Sequence, residues 1–284
     1  MHRSKPIPSE HNARALFAPK RERVYFEYGN ELRFRGGQEF DAVDAWWCAE
    51  LCLLCYVPEE RIVREHLERA GFSDVEVFDR GGTHAILADG LLAFRGTAGR
   101  KDWLADLDAW LTHEGSARVH RGFQGILDHA WHAVQERVGD RPVHLTGHSM
   151  GGALATLAAS RLAHAQTVTT FGAPRPGDSE FAAQVPCPVF RVVNNNDMVA
   201  RLPLSMTYRH VGDLKYFDAK GELCEDPALW ERLRSRVQGH QQQFRDNLSL
   251  WRTGRFDSVA YNPLIDHSPL HYALHAWNHL VAEQ

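Results

Sequence analysis

Along the chain, hydrophobic positions change spacing twice, and each change marks a different kind of element. Val24-Tyr25-Phe26-Glu27-Tyr28 and Glu31-Leu32-Arg33-Phe34-Arg35 alternate around Gly29-Asn30, a spacing that predicts a small β-hairpin. From Asp41 to Tyr56 the apolar positions take helical spacing, predicting an amphipathic helix stopped by Pro58. A second helix is expected from Glu59 to Ala70, ending at Gly71. Short apolar runs then follow at Ala85–Ala88, Leu91–Phe94, Val143–Thr146, Val168–Phe171 and Val189–Val193. Helical segments such as Gly125–Val138 and Ala153–Ala163 separate several of them. Strands alternating with helices predict an α/β fold with a mostly parallel central sheet flanked by helices. Between Tyr216 and Tyr261 the strand signal fades. Leu229, Trp230, Leu233, Val237, Phe244, Leu248 and Trp251 recur there at near-helical spacing, as in an inserted helical pair or an amphipathic surface helix.

The domain reading is an N-terminal arm and hairpin over residues 1–40, then one domain over 41–284 with a helical insertion at about 216–261. Composition adds little to this. Hydrophobic residues are 44% and charged residues 24% of the 284, ordinary for a globular chain. The formal charge of -4 offers no footprint for nucleic acid. The first residues are polar, without the apolar stretch of a signal peptide, and no run is long enough for a transmembrane segment. Cys48, Cys52 and Cys55 fall at i, i+4, i+7 and read as one buried helical face. Together these features suggest a reduced, cytoplasmic protein without a cofactor.

The chemistry concentrates on Gly147-His148-Ser149-Met150-Gly151, between a β-branched run and an Ala-rich helix former. A serine at such a strand-to-helix turn is presented above the sheet, and the glycines relieve crowding around it. The helix N-terminus behind it, led by the Met150 N–H, favours a developing oxyanion. A nucleophilic serine needs a base and a group that orients the base. Asp197, just past a strand end, is the candidate acid, with Asp178 and Asp213 as weaker alternatives. Among the histidines at 267, 271, 275 and 279, His267 precedes Ser268-Pro269, a helix start, and so lies on a loop able to reach the sheet top. His271 is the reserve. The stripe lacks the glutamate and further ligands of a metal site, and no metal is expected. A second oxyanion donor is expected from the Thr97 N–H, after the Phe94-Arg95-Gly96-Thr97 run.

These blocks, together with Phe171-Gly172-Ala173-Pro174-Arg175 and Asn196-Asp197-Met198-Val199, resemble the class 3 lipases from about Trp46 onward. The resemblance implies an α/β-hydrolase fold and a triad of Ser149, Asp197 and His267, with Thr97 and Met150 as oxyanion donors. It also implies that residues from about Ala98 to Leu111 form a movable lid, with Trp103, Leu104, Leu107 and Trp110 on its apolar side. The expected activity is hydrolysis of carboxylic esters, lipid or acylglycerol esters above all, through an acyl-enzyme. The alternatives are acyl transfer at the same site, or a non-catalytic protein that binds lipids or partners.

Overall fold

In the computed structural model, residues 2–8, 23–97, 111–203, 207–229, 231–239 and 265–284 are described. The expected lid positions Trp103, Leu104, Leu107 and Trp110 lie outside these residues, as does the stretch 240–264. Leu111 is described, and it opens a strand rather than closing a helix.

The core is an eight-stranded sheet. Its strands, in their order across the sheet, are β1 (Val75–Arg80), β2 (Thr83–Ala88), β3 (Leu91–Phe94), β6 (Val143–His148), β7 (Ala165–Phe171), β8 (Val189–Asn194), β9 (Asp213–Phe217) and β10 (Leu223–Glu225). A separate hairpin pairs β4 (Leu111–Glu114) with β5 (Ala117–His120). The strands from β3 through β9 run parallel, and β1, β2 and β10 complete the edges in antiparallel fashion. The parallel strands are buried on both faces, which is why they read as continuous apolar runs.

One face carries α1 (Ala42–Leu54) and α6 (Pro269–Ala282). Trp46 and Trp277, their rings 5.3 Å apart, pack with Ile86, Ala93, Phe171 and Val192 of the sheet. The opposite face carries α3 (Arg121–Val138) and α4 (Met150–Arg161), where Phe123, Leu127 and Leu154 cover Leu92, Leu145 and Val168. The smaller helices are α2 (Glu60–Arg69) and α5 (Ser179–Gln184).

Several expectations are corrected here. Within Val24–Phe34, Tyr25–Glu31 forms successive turns and no strand pairing, rather than a hairpin. Phe26 takes a positive φ of 51° and stacks on Trp47 at 4.7 Å, so its aromatics serve as anchors on α1 instead of alternating across a ladder. Helix α1 is buried on every side rather than amphipathic, because the turn region and α6 cover the side away from the sheet. The N-terminal residues are not a loose arm where described. Lys5 N–H donates to Asn278 Oδ1 at 2.7 Å, and Trp277 Nε1–H donates to the Arg3 carbonyl. The region read as strand-free from Tyr216 contains the end of β9 and all of β10. Residues 231–239 are helical, as expected, but Leu233 and Val237 point outward, 50% and 56% exposed. The buried position is Ser235, whose hydroxyl accepts from Ala219 N–H and donates to Asn195 Oδ1. Polar satisfaction, not the apolar stripe, sets that helix's orientation. Among the described residues, no helix is long and apolar enough to cross a membrane.

Candidate active site

The register of the parallel strands brings three chain reversals together at their carboxyl ends. Phe94 pairs with Gly147, His148 with Phe171, and Phe171 with Val192. Ser149 therefore follows β6, Gly172 follows β7, and the Asn195-Asn196-Asp197 turn follows β8. Groups at such strand ends share the crevice outside the sheet.

Ser149 caps α4 in a strained backbone, φ 59° and ψ −133°, and is 2% exposed. Its N–H donates to the Phe171 carbonyl at 2.8 Å. A serine tolerates this conformation only where its neighbours leave room. A Cβ on Gly147 would lie 2.2 Å from the Gly151 carbonyl carbon, and one on Gly151 would lie 2.0 Å from the Phe94 carbonyl oxygen. Both glycines are thus dictated by backbone approach rather than by turn preference alone. Loop 95–97 abuts the elbow: a Cβ on Gly96 would stand 2.9 Å from that of Ser149. Thr97, on the same loop, reaches the Met150 sulfur with its hydroxyl at 3.5 Å.

His267 sits between the short segment at Ile265 and the Ser268 cap of α6, with Pro269 at the first helical position as expected. Its Nδ1 lies 2.8 Å from Asp197 Oδ2, with both residues buried. The remaining Asp197 oxygen accepts from the N–H groups of Val199 and Ala200 at 2.8 and 3.4 Å, an Asx turn that fixes the carboxylate. Gly172, with φ +60°, touches both partners. A Cβ there would lie 2.4 Å from Asp197 Oδ2 and 2.9 Å from His267 Nδ1.

The structure does not bring the alternative acids to this place. Asp178 caps α5 through Phe181 N–H and pairs with Arg118, and Asp213 is an exposed residue at the start of β9. The other histidines of the stripe remain on α6. His275 stacks on Phe217 at 5.2 Å, and burial lowers its pKa to about 4.

Three residues beyond the expected set, Tyr272, Asp266 and Tyr56, touch this site together with His148 of the elbow. Tyr272 donates to Asp197 Oδ2 at 2.7 Å. Asp266 accepts from Asn196 N–H at 2.9 Å, and its own carbonyl accepts from Asn194 Nδ2. Burial and the nearby Asp197 push the Asp266 carboxyl up to about 7, against the Asn196 hydrogen bond. Tyr56 meets His148 Nδ1 at 2.7 Å, and His148 Nε2 meets the His267 carbonyl at 2.7 Å. In the sequence Tyr56 stands only as the last residue of the helical spacing from Asp41. For Tyr56 the signal available was position, at the end of an apolar run that Pro58 stops; Tyr272 lies inside α6, where spacing does not single it out.

Residues 91–207 match the model of the family "Lipase (class 3)". This segment is therefore similar to the class 3 lipases. The segment holds the elbow, loop 95–97 and Asp197, whereas His267 and Tyr272 lie beyond it. The chain is 32% identical to phospholipase A(1) DAD1, chloroplastic, of Arabidopsis thaliana over 40% of this chain and 34% of that protein. It is 31% identical to the secreted mono- and diacylglycerol lipase A of Penicillium cyclopium, over 49% and 52% of the two chains. With the lipase of Rhizomucor miehei the identity is 30%, over 46% and 44%. The chain thus spans between a third and about half of these relatives' lengths. Among solved structures, the Rhizomucor miehei lipase propeptide complex is similar with a TM-score of 0.50 and 22% identity, over 76% of this chain and 78% of that one. A deletion mutant of the same complex gives 0.51. These likenesses establish the α/β-hydrolase fold. One relative's name says chloroplastic and another's says secreted, so the names lend the cytoplasmic expectation no support.

Proposed function

We propose that the protein hydrolyses carboxylic esters of lipid-like acyl chains, with Ser149 as nucleophile, His267 as general base and Asp197 as the group orienting that base. The observation that carries this reading is the buried 2.8 Å contact of His267 Nδ1 with Asp197 Oδ2, at the sheet end where Ser149 is held in its strained turn. An ionised Asp197 only accepts, so Nδ1 carries the proton and the Nε2 lone pair can take another. Nε2 removes the Ser149 hydroxyl proton as Oγ attacks the ester carbonyl. The oxyanion that forms is met by the N–H groups of Met150 and Thr97. His267 then gives its proton to the departing alcohol. Water attacks the acyl-enzyme with its proton passing to Nε2, and the acid is released as Ser149 recovers its hydrogen.

The lipid half of the reading is supported by the relatives, whose names specify a phospholipase, a mono- and diacylglycerol lipase and a lipase. The movable lid that the resemblance implies, from about Ala98 to Leu111, falls outside the described residues save for Leu111. A fluorophosphonate probe should label the wild-type chain and spare Ser149→Ala; equal labelling of both chains rejects the nucleophile. A p-nitrophenyl ester series of rising chain length, with and without detergent micelles, tests the substrate and the lid together. Preference for long chains and activation at micelles support both, and a short-chain preference without activation removes both.

A further inference from the structure

Two buried side chains beside the elbow take no step in the reaction above. His148 Nε2 lies 2.7 Å from the His267 backbone carbonyl, which only accepts, so Nε2 carries the proton. Burial, reinforced by the neighbouring His267, holds His148 well below the usual histidine range, so the ring is neutral and Nδ1 is a bare acceptor. The Tyr56 hydroxyl, 2.7 Å from Nδ1, is therefore the donor of that bond. Burial holds the Tyr56 phenol protonated, and Gly96 packs against its oxygen. The approach is close enough that a Cβ on Gly96 would lie 2.3 Å from that oxygen.

The hydrogen bonds consequently run in one direction, from the Tyr56 hydroxyl to His148 to the carbonyl of His267, with Gly96 packed against the phenol oxygen. Gly96 adjoins Thr97, His148 adjoins Ser149, and the chain ends on the residue whose ring faces Asp197. The His148 and His267 rings also lie close together, 4.6 Å between centroids and tilted by 34°.

We propose that Tyr56 and His148 are positioning residues, a two-link brace that holds loop 95–97 and the His267 loop in register with Ser149. The brace rests on the hydrolase reading given above. It acts on geometry and moves no proton during turnover, because each of its hydrogens already has a single acceptor. Misplacing a reacting group by about 1 Å costs up to roughly a hundredfold in rate. Such a brace therefore affects kcat while leaving the substrate-binding surface alone.

Three variants test it, with ester hydrolysis and fluorophosphonate labelling as readouts. Tyr56→Phe removes one hydroxyl and leaves the packing intact. His148→Leu removes both links, and His148→Gln keeps an N–H that reaches the His267 carbonyl. Expected is a kcat fall of about tenfold for Tyr56→Phe and up to roughly a hundredfold for His148→Leu, with KM within about twofold of wild type. His148→Gln should recover most of the loss while His148→Leu does not. The pH midpoint of the activity should stay in place in Tyr56→Phe, since the brace moves the base without altering its charge environment. Wild-type kcat and labelling in Tyr56→Phe would overturn the proposal. So would equal losses in the Gln and Leu variants, which mark packing alone. If His148→Leu does not fold, Tyr56→Phe and His148→Gln still decide. A wild-type chain that neither labels nor hydrolyses esters defeats the hydrolase reading itself, and the brace with it. A wild-type chain that labels beside fully active brace variants defeats the brace only.

Discussion

Tyr272 and Asp197 meet through a 2.7 Å hydrogen bond at the very oxygen that faces His267 Nδ1. The phenol oxygen in turn accepts the Asn194 N–H at 2.9 Å. Burial and the adjacent Asp197 hold the phenol well above its usual pKa, so it remains a donor across the working pH range. Tyr272→Phe removes a donor to a buried carboxylate and leaves the Asn194 N–H without its acceptor. The expected loss is about 1–3 kcal/mol of stability in urea unfolding. A kcat reduction of roughly tenfold should accompany it as Asp197 loses one of its restraints. Unchanged values on both measures would show that the hydroxyl is irrelevant to the acid.

Gly172 makes a harsher prediction. Its φ of +60° suits glycine, and the place of a side chain is taken by Asp197 Oδ2 and His267 Nδ1. In Gly172→Ala the methyl must displace one of these buried groups. Expected is an activity loss of more than about a hundredfold, with stability lowered by about 1–3 kcal/mol for the backbone strain. Labelling at Ser149 and a thermal melt would measure the two effects separately. A fully active, equally stable alanine variant would contradict the packing described around the acid and base.

Much of this site was legible because it is made of local signals. Leu91–Phe94 is a strand with the expected bounds, and the elbow, the Asp197 turn and the Ser268-Pro269 helix start each carry their reason within a few residues. What escaped depends on contacts distant in sequence. Tyr56 and His148 are 92 residues apart, and Tyr272 and Asp197 are 75 apart. No spacing rule links such pairs. Val24–Phe34 alternates like a hairpin, but its aromatics are spent on Trp47 and Phe72, and packing overrides the period. Strand β10 has only three residues, too short for a periodic signal. Ser235 shows the converse, a helix face chosen by hydrogen bonds where the apolar stripe pointed the other way.

His275 couples stability to acid. Its ring is stacked on Phe217, and burial lowers its pKa from 6.5 to about 4. The unfolded chain then takes up the proton first as pH falls. This group's contribution is therefore intact above pH 6.5 and declines as the pH drops toward 4. The loss should amount to about 2–3 kcal/mol over that window, since each tenfold change in proton affinity is worth roughly 1.4 kcal/mol. His275→Phe, which keeps a ring against Phe217, should flatten this part of the urea-unfolding profile. Identical slopes for the two proteins would contradict the burial of the imidazole.

Asp266 has the opposite sign. Its carboxyl is raised from 3.8 to about 7, chiefly by burial. Between these values the folded chain holds a proton that the unfolded chain has lost, so stability falls as the pH rises through this window. The cost at pH 8 should be about 2–4 kcal/mol relative to pH 4, and it falls on the loop that carries His267. Asp266→Asn keeps the oxygen that accepts from Asn196 N–H but cannot ionise. Its unfolding free energy should thus exceed that of wild type at pH 8 and converge with it near pH 4. The same variant should hold its kcat at high pH, where ionised Asp266 and Asp197 repel each other in the wild-type chain. A variant less stable than wild type at pH 8 would mean that the Asp266 charge is already neutralised in the folded protein.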